Sequence, residues 1–144
     1  MSLQHSLLLA LRSMAAMGLA MAIVFLVNTA GGWLAAALGF PGGSTRLAWD
    51  LGCVFVAGLL ATRVLVRLAP CAPRRHALAL LLLMLAVSVA AVIRLGAEFP
   101  VWFSTGLLFC VPVQVAVGVR WALHGEHVKP RELRVETERT PPAS

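Results

Sequence analysis

Apolar residues dominate four long stretches of the chain, and polar residues and helix breakers fall between them. The stretches cover about residues 13–40, 46–68, 76–97 and 101–123. Each can cross the hydrocarbon core of a bilayer, which takes roughly 20 mostly apolar residues in a helix. None alternates apolar and polar side chains with the period of two that marks a half-buried strand. The pattern therefore predicts four transmembrane helices.

The segments that join the four stretches are short and rich in proline and glycine: "PGGST", "APCAPRR" and "EFP". Proline and glycine end helices there and turn the chain, and short connections favour antiparallel neighbours. We therefore expect an all-α fold, a four-transmembrane-helix up-and-down bundle with short connecting loops. Residues 1–12 form a lead-in, residues 13–123 form the membrane domain, and residues 124–144 form a polar tail that is partly disordered.

Composition agrees with a membrane protein of one domain. Of the 144 residues, 60% are hydrophobic and 12% are charged, whereas soluble domains carry about 25% charged residues. The first stretch could also be a signal peptide, because Arg12 precedes an apolar run. However, the run continues about ten residues beyond "NTA", which ends at Ala30 and is a poor cleavage site. We expect a retained helix.

The basic residues predict the orientation, because lysine and arginine accumulate on the cytoplasmic side of membrane helices. With the N-terminus inside, six arginines lie at the inner face and only Arg46 and Arg94 at the outer face of the predicted bacterial inner membrane. Both termini are then cytoplasmic. An inner rim of this kind attracts anionic lipid headgroups. Nucleic acid is not expected as a partner, although the pI is near 11.0, because the arginines are directed toward lipid.

Two amide side chains lie deep in the predicted membrane. Asn28 is 12 residues below Phe40, or about 18 Å along a helix, and Gln114 is 12 residues below Trp102. The first and last helices of an up-and-down bundle are neighbours, so an Asn28–Gln114 hydrogen bond is geometrically reasonable near the midplane, with Ser88 somewhat shallower. The amides either hold the helices together or line a small polar cavity.

Small residues spaced four apart let membrane helices approach closely. Several such pairs occur, and they favour the structural interpretation of the amides. We single out five: Gly18–Ala22, Gly32–Ala36, Ala57–Ala61, Gly58–Thr62 and Gly118–Ala122.

Four charged residues lie near the outer face. Arg46 and Asp50 are four residues apart on one helix, as are Arg94 and Glu98, and Asp50 could pair with Arg94 across helices. Charged residues within membrane helices indicate function by default, but these lie shallow enough for their charges to remain hydrated. They form either a structural ion-pair cluster or a site that faces the periplasm. For a site, Asp50 and Arg94 are the first candidates, followed by Asn28 and Gln114.

The chemistry of a catalyst or cofactor site is missing from the predicted spans. No histidine lies within a span, so a haem anchored by two histidines is not expected. The cysteines show no C-x-x-C spacing, and no nucleotide-binding or nucleophile motif occurs. We therefore expect no cofactor, no metal and no enzymatic activity.

Several segments together carry a resemblance to a known group. They are "GFPGG" after the first span, "LAWDLGCVFVAGLLATRV" in the second and "EFPVWFSTGLLFCVPVQVAVGVR" in the last. With these the chain resembles a broad group of small, uncharacterised bacterial four-helix inner-membrane proteins. The resemblance implies a fold and a location but no activity. That group is expected to hold an acidic residue within the first span, where this chain has Asn28.

Three functional hypotheses follow. The first is a non-enzymatic accessory or structural membrane subunit that acts by association with a membrane-protein partner or as a homo-oligomer. The alternative is a small oligomeric transporter or channel with a polar midplane site at Asn28 and Gln114, next to a helix that Pro112 should kink. The third, a lipid-modifying enzyme, has the fewest suitable residues.

Overall fold

A computed structural model describes residues 3–40, 42–69 and 72–124 as four α-helices and their connections. The helices are α1 (Leu3–Ala37), α2 (Ser44–Leu68), α3 (Pro73–Leu95) and α4 (Val101–His124). All four are long and apolar enough to cross a membrane, and they pack against one another. The predicted all-α bundle of four membrane-spanning helices is thus confirmed. Apart from His124, the predicted polar tail lies outside the described residues.

A glycine ends α1 and a proline begins α3, although Gly39 lies within the predicted first span and α1 ends at Ala37, three residues before its predicted end. After α1, Gly39 takes a positive φ of 66°. The Gly39 and Phe40 amides donate to the Ala36 and Ala35 carbonyls, both at 3.1 Å, in the two-bond pattern of a Schellman C-cap. Pro73 begins α3, where its missing N–H leaves no helical bond unmade.

Helix α1 begins ten residues earlier than the predicted span. It runs through Arg12 and Ser13, and the Ser13 hydroxyl donates to the Leu9 carbonyl at 2.9 Å. Hydropathy located the part of the chain that suits lipid, whereas the helix itself continues through polar residues. With 35 residues, α1 is about 52 Å long. It must therefore tilt or project beyond a hydrocarbon core about 30 Å thick.

The order of the helices around the bundle differs from their order along the chain. Helix α1 packs along α2, α2 packs along α4, and α3 packs against α4 and α2, with a slight contact to α1. Within the described ranges α1 and α4 do not contact each other. Contacts between α2 and α4 advance in the same direction along both helices, which makes these two helices parallel: Leu51–Gly106, Gly58–Gln114 and Thr62–Gly118.

Small residues form the closest helix contacts. Three of the five predicted pairs, Ala57–Ala61, Gly58–Thr62 and Gly118–Ala122, are buried, and all three lie on α2 or α4. The Gly18–Ala22 pair is instead exposed on α1, with open space beside Gly18. Helix α2 is therefore the central element, and one face of α1 has no protein neighbour among the described helices.

The two ends of the bundle differ in chemistry. We call one end the arginine-rich end and the other the aromatic end. The arginine-rich end carries Arg12, Arg63, Arg67, Arg74, Arg75 and Arg120. The aromatic end carries Phe40, Trp49, Phe99, Trp102 and Phe103, together with Arg46, Asp50, Arg94 and Glu98.

Candidate functional site

Asn28 and Gln114 do not meet, so the predicted hydrogen bond between them is wrong. Asn28 lies on α1 and Gln114 on α4, two helices that are not in contact within the described residues. Gln114 is fully buried and faces α2. When its amide nitrogen faces that helix, Nε2 donates to the Val54 carbonyl at 2.9 Å and to the Phe55 carbonyl at 3.3 Å. We assign this orientation because it satisfies the amide, whereas the reverse one leaves only a 3.9 Å contact to the Met84 sulfur.

Gly58 explains how Gln114 reaches the backbone of α2. A Cβ added at Gly58 would overlap the three terminal atoms of the Gln114 amide. The missing side chain therefore exposes helix carbonyls that would otherwise be shielded. One turn further on, Gly118 of α4 lies against Thr62, whose hydroxyl donates to the Gly58 carbonyl at 2.8 Å. Gln114 is thus part of a structural α2–α4 contact.

Asn28 instead shares a cavity with Ser88 of α3. The cavity has a volume of about 210 Å³ and opens between α1 and α3, the two helices that barely touch. From the helix ends, Asn28 lies about 14 Å and Ser88 about 10 Å into the bundle. We call this space the α1–α3 cleft. It is lined by Val24, Asn28, Met84 and Ser88, and by Val54 of α2 and Leu107 of α4.

Both polar side chains in the α1–α3 cleft have unused hydrogen-bonding capacity. The Asn28 amide nitrogen donates to the Val24 carbonyl at 2.8 Å, which leaves its second N–H and its oxygen available. Ser88 is 8% exposed, and its hydroxyl bonds to none of the residues that the structure describes. Ser13 and Thr62, in contrast, each donate to the carbonyl four residues earlier. The cleft therefore presents two donors and two acceptors in apolar surroundings.

At the aromatic end, the Gly31–Gly32 pair brings α1 and α2 together. Trp49 donates from Nε1 to the Gly31 carbonyl at 2.9 Å, and Arg46 donates from Nη2 to the Gly32 carbonyl at 3.3 Å. A Cβ at Gly31 would overlap the Cys53 sulfur. The glycines thus permit close approach and expose two carbonyls to donors from α2.

The predicted charged cluster forms only in part. Arg46 pairs with Asp50 at 3.1 Å, with about a third of each side chain exposed. Arg94 and Glu98 are both exposed, and neither joins an ion pair among the described residues, so the possible Asp50–Arg94 and Arg94–Glu98 pairs do not form. Because Arg46 also bonds to α1, the Arg46–Asp50 pair belongs to the α1–α2 contact.

In residues 3–40, 42–69 and 72–124, no group of three His, Cys, Asp or Glu side chains is placed to hold a metal ion.

No protein-family model, curated protein or solved structure matches the chain significantly. The resemblance to small bacterial four-helix proteins therefore stays a prediction.

The sequence pattern suggested Gln114 as the partner of Asn28, whereas in the structure Asn28 shares the α1–α3 cleft with Ser88. Asn28 and Ser88 lie nine and seven residues before the ends of α1 and α3. This similarity is a signal that could have suggested the pair. Depth alone does not say which helices are neighbours, however.

Proposed function

We propose that this chain is a non-enzymatic subunit of the bacterial inner membrane, with both termini cytoplasmic, that acts by association with another membrane protein. The observation that carries the proposal is the α1–α3 cleft, where Asn28 and Ser88 have unmade hydrogen bonds among apolar side chains, about 14 Å and 10 Å from the ends of their helices. A membrane helix with one polar side chain would supply the missing donor and acceptor, and hydrogen bonds of this kind contribute about 0.6–2 kcal/mol between membrane helices.

The exposed side of α1 supports the same proposal. Gly18, Ala22 and Thr29 are exposed small residues at helical spacing, and Phe25, which is 70% exposed, lies among them. Small residues let a second helix approach an exposed helix closely. This face adjoins the side of α1 that carries Asn28, so one partner helix could contact both.

The charge distribution supports the orientation and the lipid partner. Eight arginines and two acidic residues precede residue 124, which accounts for the whole net charge of +6. Six of the arginines lie at the arginine-rich end, which the positive-inside rule assigns to the cytoplasm. Anionic lipid headgroups are the partners expected there.

The transporter or channel hypothesis has less support. It required Asn28 and Gln114 to line one polar path, but Gln114 is buried against α2. Within the described helices, the cleft contains no charged side chain. Association therefore accounts for more of the observed geometry than transport.

Photo-crosslinking in cells tests the proposal. A photoreactive amino acid would replace Val87, which is 57% exposed and lines the cleft, or Val117, which is 43% exposed on α4 as the matched control. We expect a protein adduct from position 87 and none from position 117. Asn28→Ala with Ser88→Ala should weaken the adduct, whereas Thr105→Ala, which removes an exposed hydroxyl from α4, should not.

Mass spectrometry of the adduct would identify the partner. An adduct with a second copy of this chain would make it a homo-oligomer, which is still association through the cleft. Equal labelling from positions 87 and 117, or lipid adducts alone, would contradict the proposal.

A further inference from the structure

Arg63 of α2 lies on the face of a tryptophan of α4 at the arginine-rich end. Its guanidinium carbon is 3.5 Å from the centre of the Trp121 ring, within the range of a cation–π interaction. Arg63 is five residues from the end of α2, and Trp121 is three residues from the end of α4. Tryptophan prefers this depth, where membrane meets water. The contact therefore holds a charged, planar group in a fixed orientation near headgroup level.

The hydrogen bonds of this guanidinium are not satisfied within the described protein. Nε is buried and has no partner there. The two Nη groups also bond to none of the described residues, but they are not enclosed as Nε is. An arginine keeps its charge and all five N–H donors under any physiological condition. An acceptor that approaches from outside can therefore reach the Nη groups but not Nε.

Charge at this end is also uncompensated within the described ranges. Within those ranges the carboxylates are Asp50 and Glu98, and both lie at the opposite, aromatic end. Arg67, one turn beyond Arg63, and Arg120, next to Trp121, are exposed. The side chains around Arg63 thus favour an anion. Phosphate is a suitable one, because a guanidinium can donate two parallel hydrogen bonds to its oxygens, which an ammonium group cannot do in the same fixed geometry.

We propose that Arg63 and Trp121 form a specific binding site for the phosphate of an anionic phospholipid. Trp121 fixes the guanidinium plane, the Nη groups donate to phosphate oxygens, and Arg67 and Arg120 add attraction for the net negative headgroup. This proposal depends on the proposed function only for the assignment of the site to the cytoplasmic leaflet. Lipid binding to the purified protein does not depend on that orientation.

Native mass spectrometry of the full chain, released from mild detergent, would measure the affinity for the first bound phosphatidylglycerol and for phosphatidylcholine. Arg63→Ala should weaken phosphatidylglycerol binding about tenfold or more, because it removes charge-assisted hydrogen bonds. Arg74→Ala, which removes an exposed arginine from the same end, should weaken it about fivefold at most, through lost surface attraction. Arg63→Lys should weaken phosphatidylglycerol binding about as much as Arg63→Ala does, because lysine keeps the charge but not the planar set of N–H donors.

Equal losses in Arg63→Ala and Arg74→Ala would overturn the site and leave only general attraction to the rim. Equal affinity of the wild-type protein for the two lipids would also overturn it. Displacement of the lipid by millimolar inorganic phosphate would show a site for free phosphate rather than for a lipid. If Arg63→Ala aggregates, Arg63→Lys decides between these results, since it retains the charge and most of the side chain.

Discussion

Replacing Gly58 by alanine should destabilise the bundle strongly, although alanine is the better helix former. The added Cβ would overlap the terminal atoms of the Gln114 amide. Gln114 is fully buried, so its side chain cannot simply turn out to the surface. Either the amide leaves the Val54 and Phe55 carbonyls, or α2 and α4 move apart.

The magnitude follows from three contributions. Overpacking a tight contact costs about 1–3 kcal/mol. An amide left buried without its hydrogen bonds costs about 1–3 kcal/mol more. The helix propensity of alanine over glycine offsets about 1 kcal/mol. We therefore expect Gly58→Ala to lower the free energy of unfolding by about 1–5 kcal/mol.

Titration with a denaturing detergent, followed by circular dichroism, would measure the change in the free energy of unfolding. Gly52→Ala is the matched control, because Gly52 lies on the same helix and a Cβ there meets nothing within 4 Å. It should be neutral or stabilising. Gln114→Ala in the Gly58→Ala background should restore part of the loss, since it removes the group that the new methyl strikes. The reasoning would be refuted if Gly58→Ala and Gly52→Ala proved equally stable.

The same titration tests two further changes. Trp49→Phe removes the hydrogen bond to the Gly31 carbonyl and should lower the free energy of unfolding by about 1 kcal/mol. Trp102→Phe should lower it less, because the Trp102 indole bonds to no described residue. Equal losses of stability in the two variants would count against the hydrogen bond. Ala72→Gly should raise the free energy of unfolding by about 0.5–1 kcal/mol, because Ala72 has a φ of 47° that glycine adopts without strain. Ala90→Gly, at an exposed position of α3, should lower it by about 1 kcal/mol. A lower free energy of unfolding for Ala72→Gly as well would argue against strain at Ala72.

The number of helices and most of their length could be predicted from the sequence. A helix that crosses lipid needs a long apolar run, and proline and glycine residues separate the four runs. The predicted ends of α2 and α4 lie within two residues of the observed ends, while α1 begins at Leu3 rather than near Ser13. The miss has a physical cause. Hydropathy reports which residues suit hydrocarbon, and a helix can continue into the interface, where Arg12 is exposed.

The neighbour order, and with it the site, could not be predicted from hydropathy. In a soluble bundle, polar residues show which helix face is exposed, but here the exposed faces are as apolar as the buried ones, since lipid tails resemble leucine. Asn28 and Gln114 were paired on the assumption that α1 and α4 are neighbours. Small residues mark the buried faces of α2 and α4, where Gly58 and Gly118 lie at the contact, but α1 also exposes Gly18 and Ala22, so they do not fix the neighbour order.

Two of the tight contacts share one arrangement. At Gly31 and at Gly58 the glycine exposes helix carbonyls, and a donor from the neighbouring helix bonds to them, as Trp49 does at Gly31 and Gln114 does beside Gly58. Helix α3, "PRRHALALLLLMLAVSVAAVIRL", contains no glycine, and α1 has none between Gly18 and Gly31. A glycine-mediated contact of this kind is therefore not available between α3 and this part of α1. The cleft that remains contains the two polar side chains with hydrogen bonds still to make, which is why the amide of Asn28, rather than that of Gln114, is available to a partner.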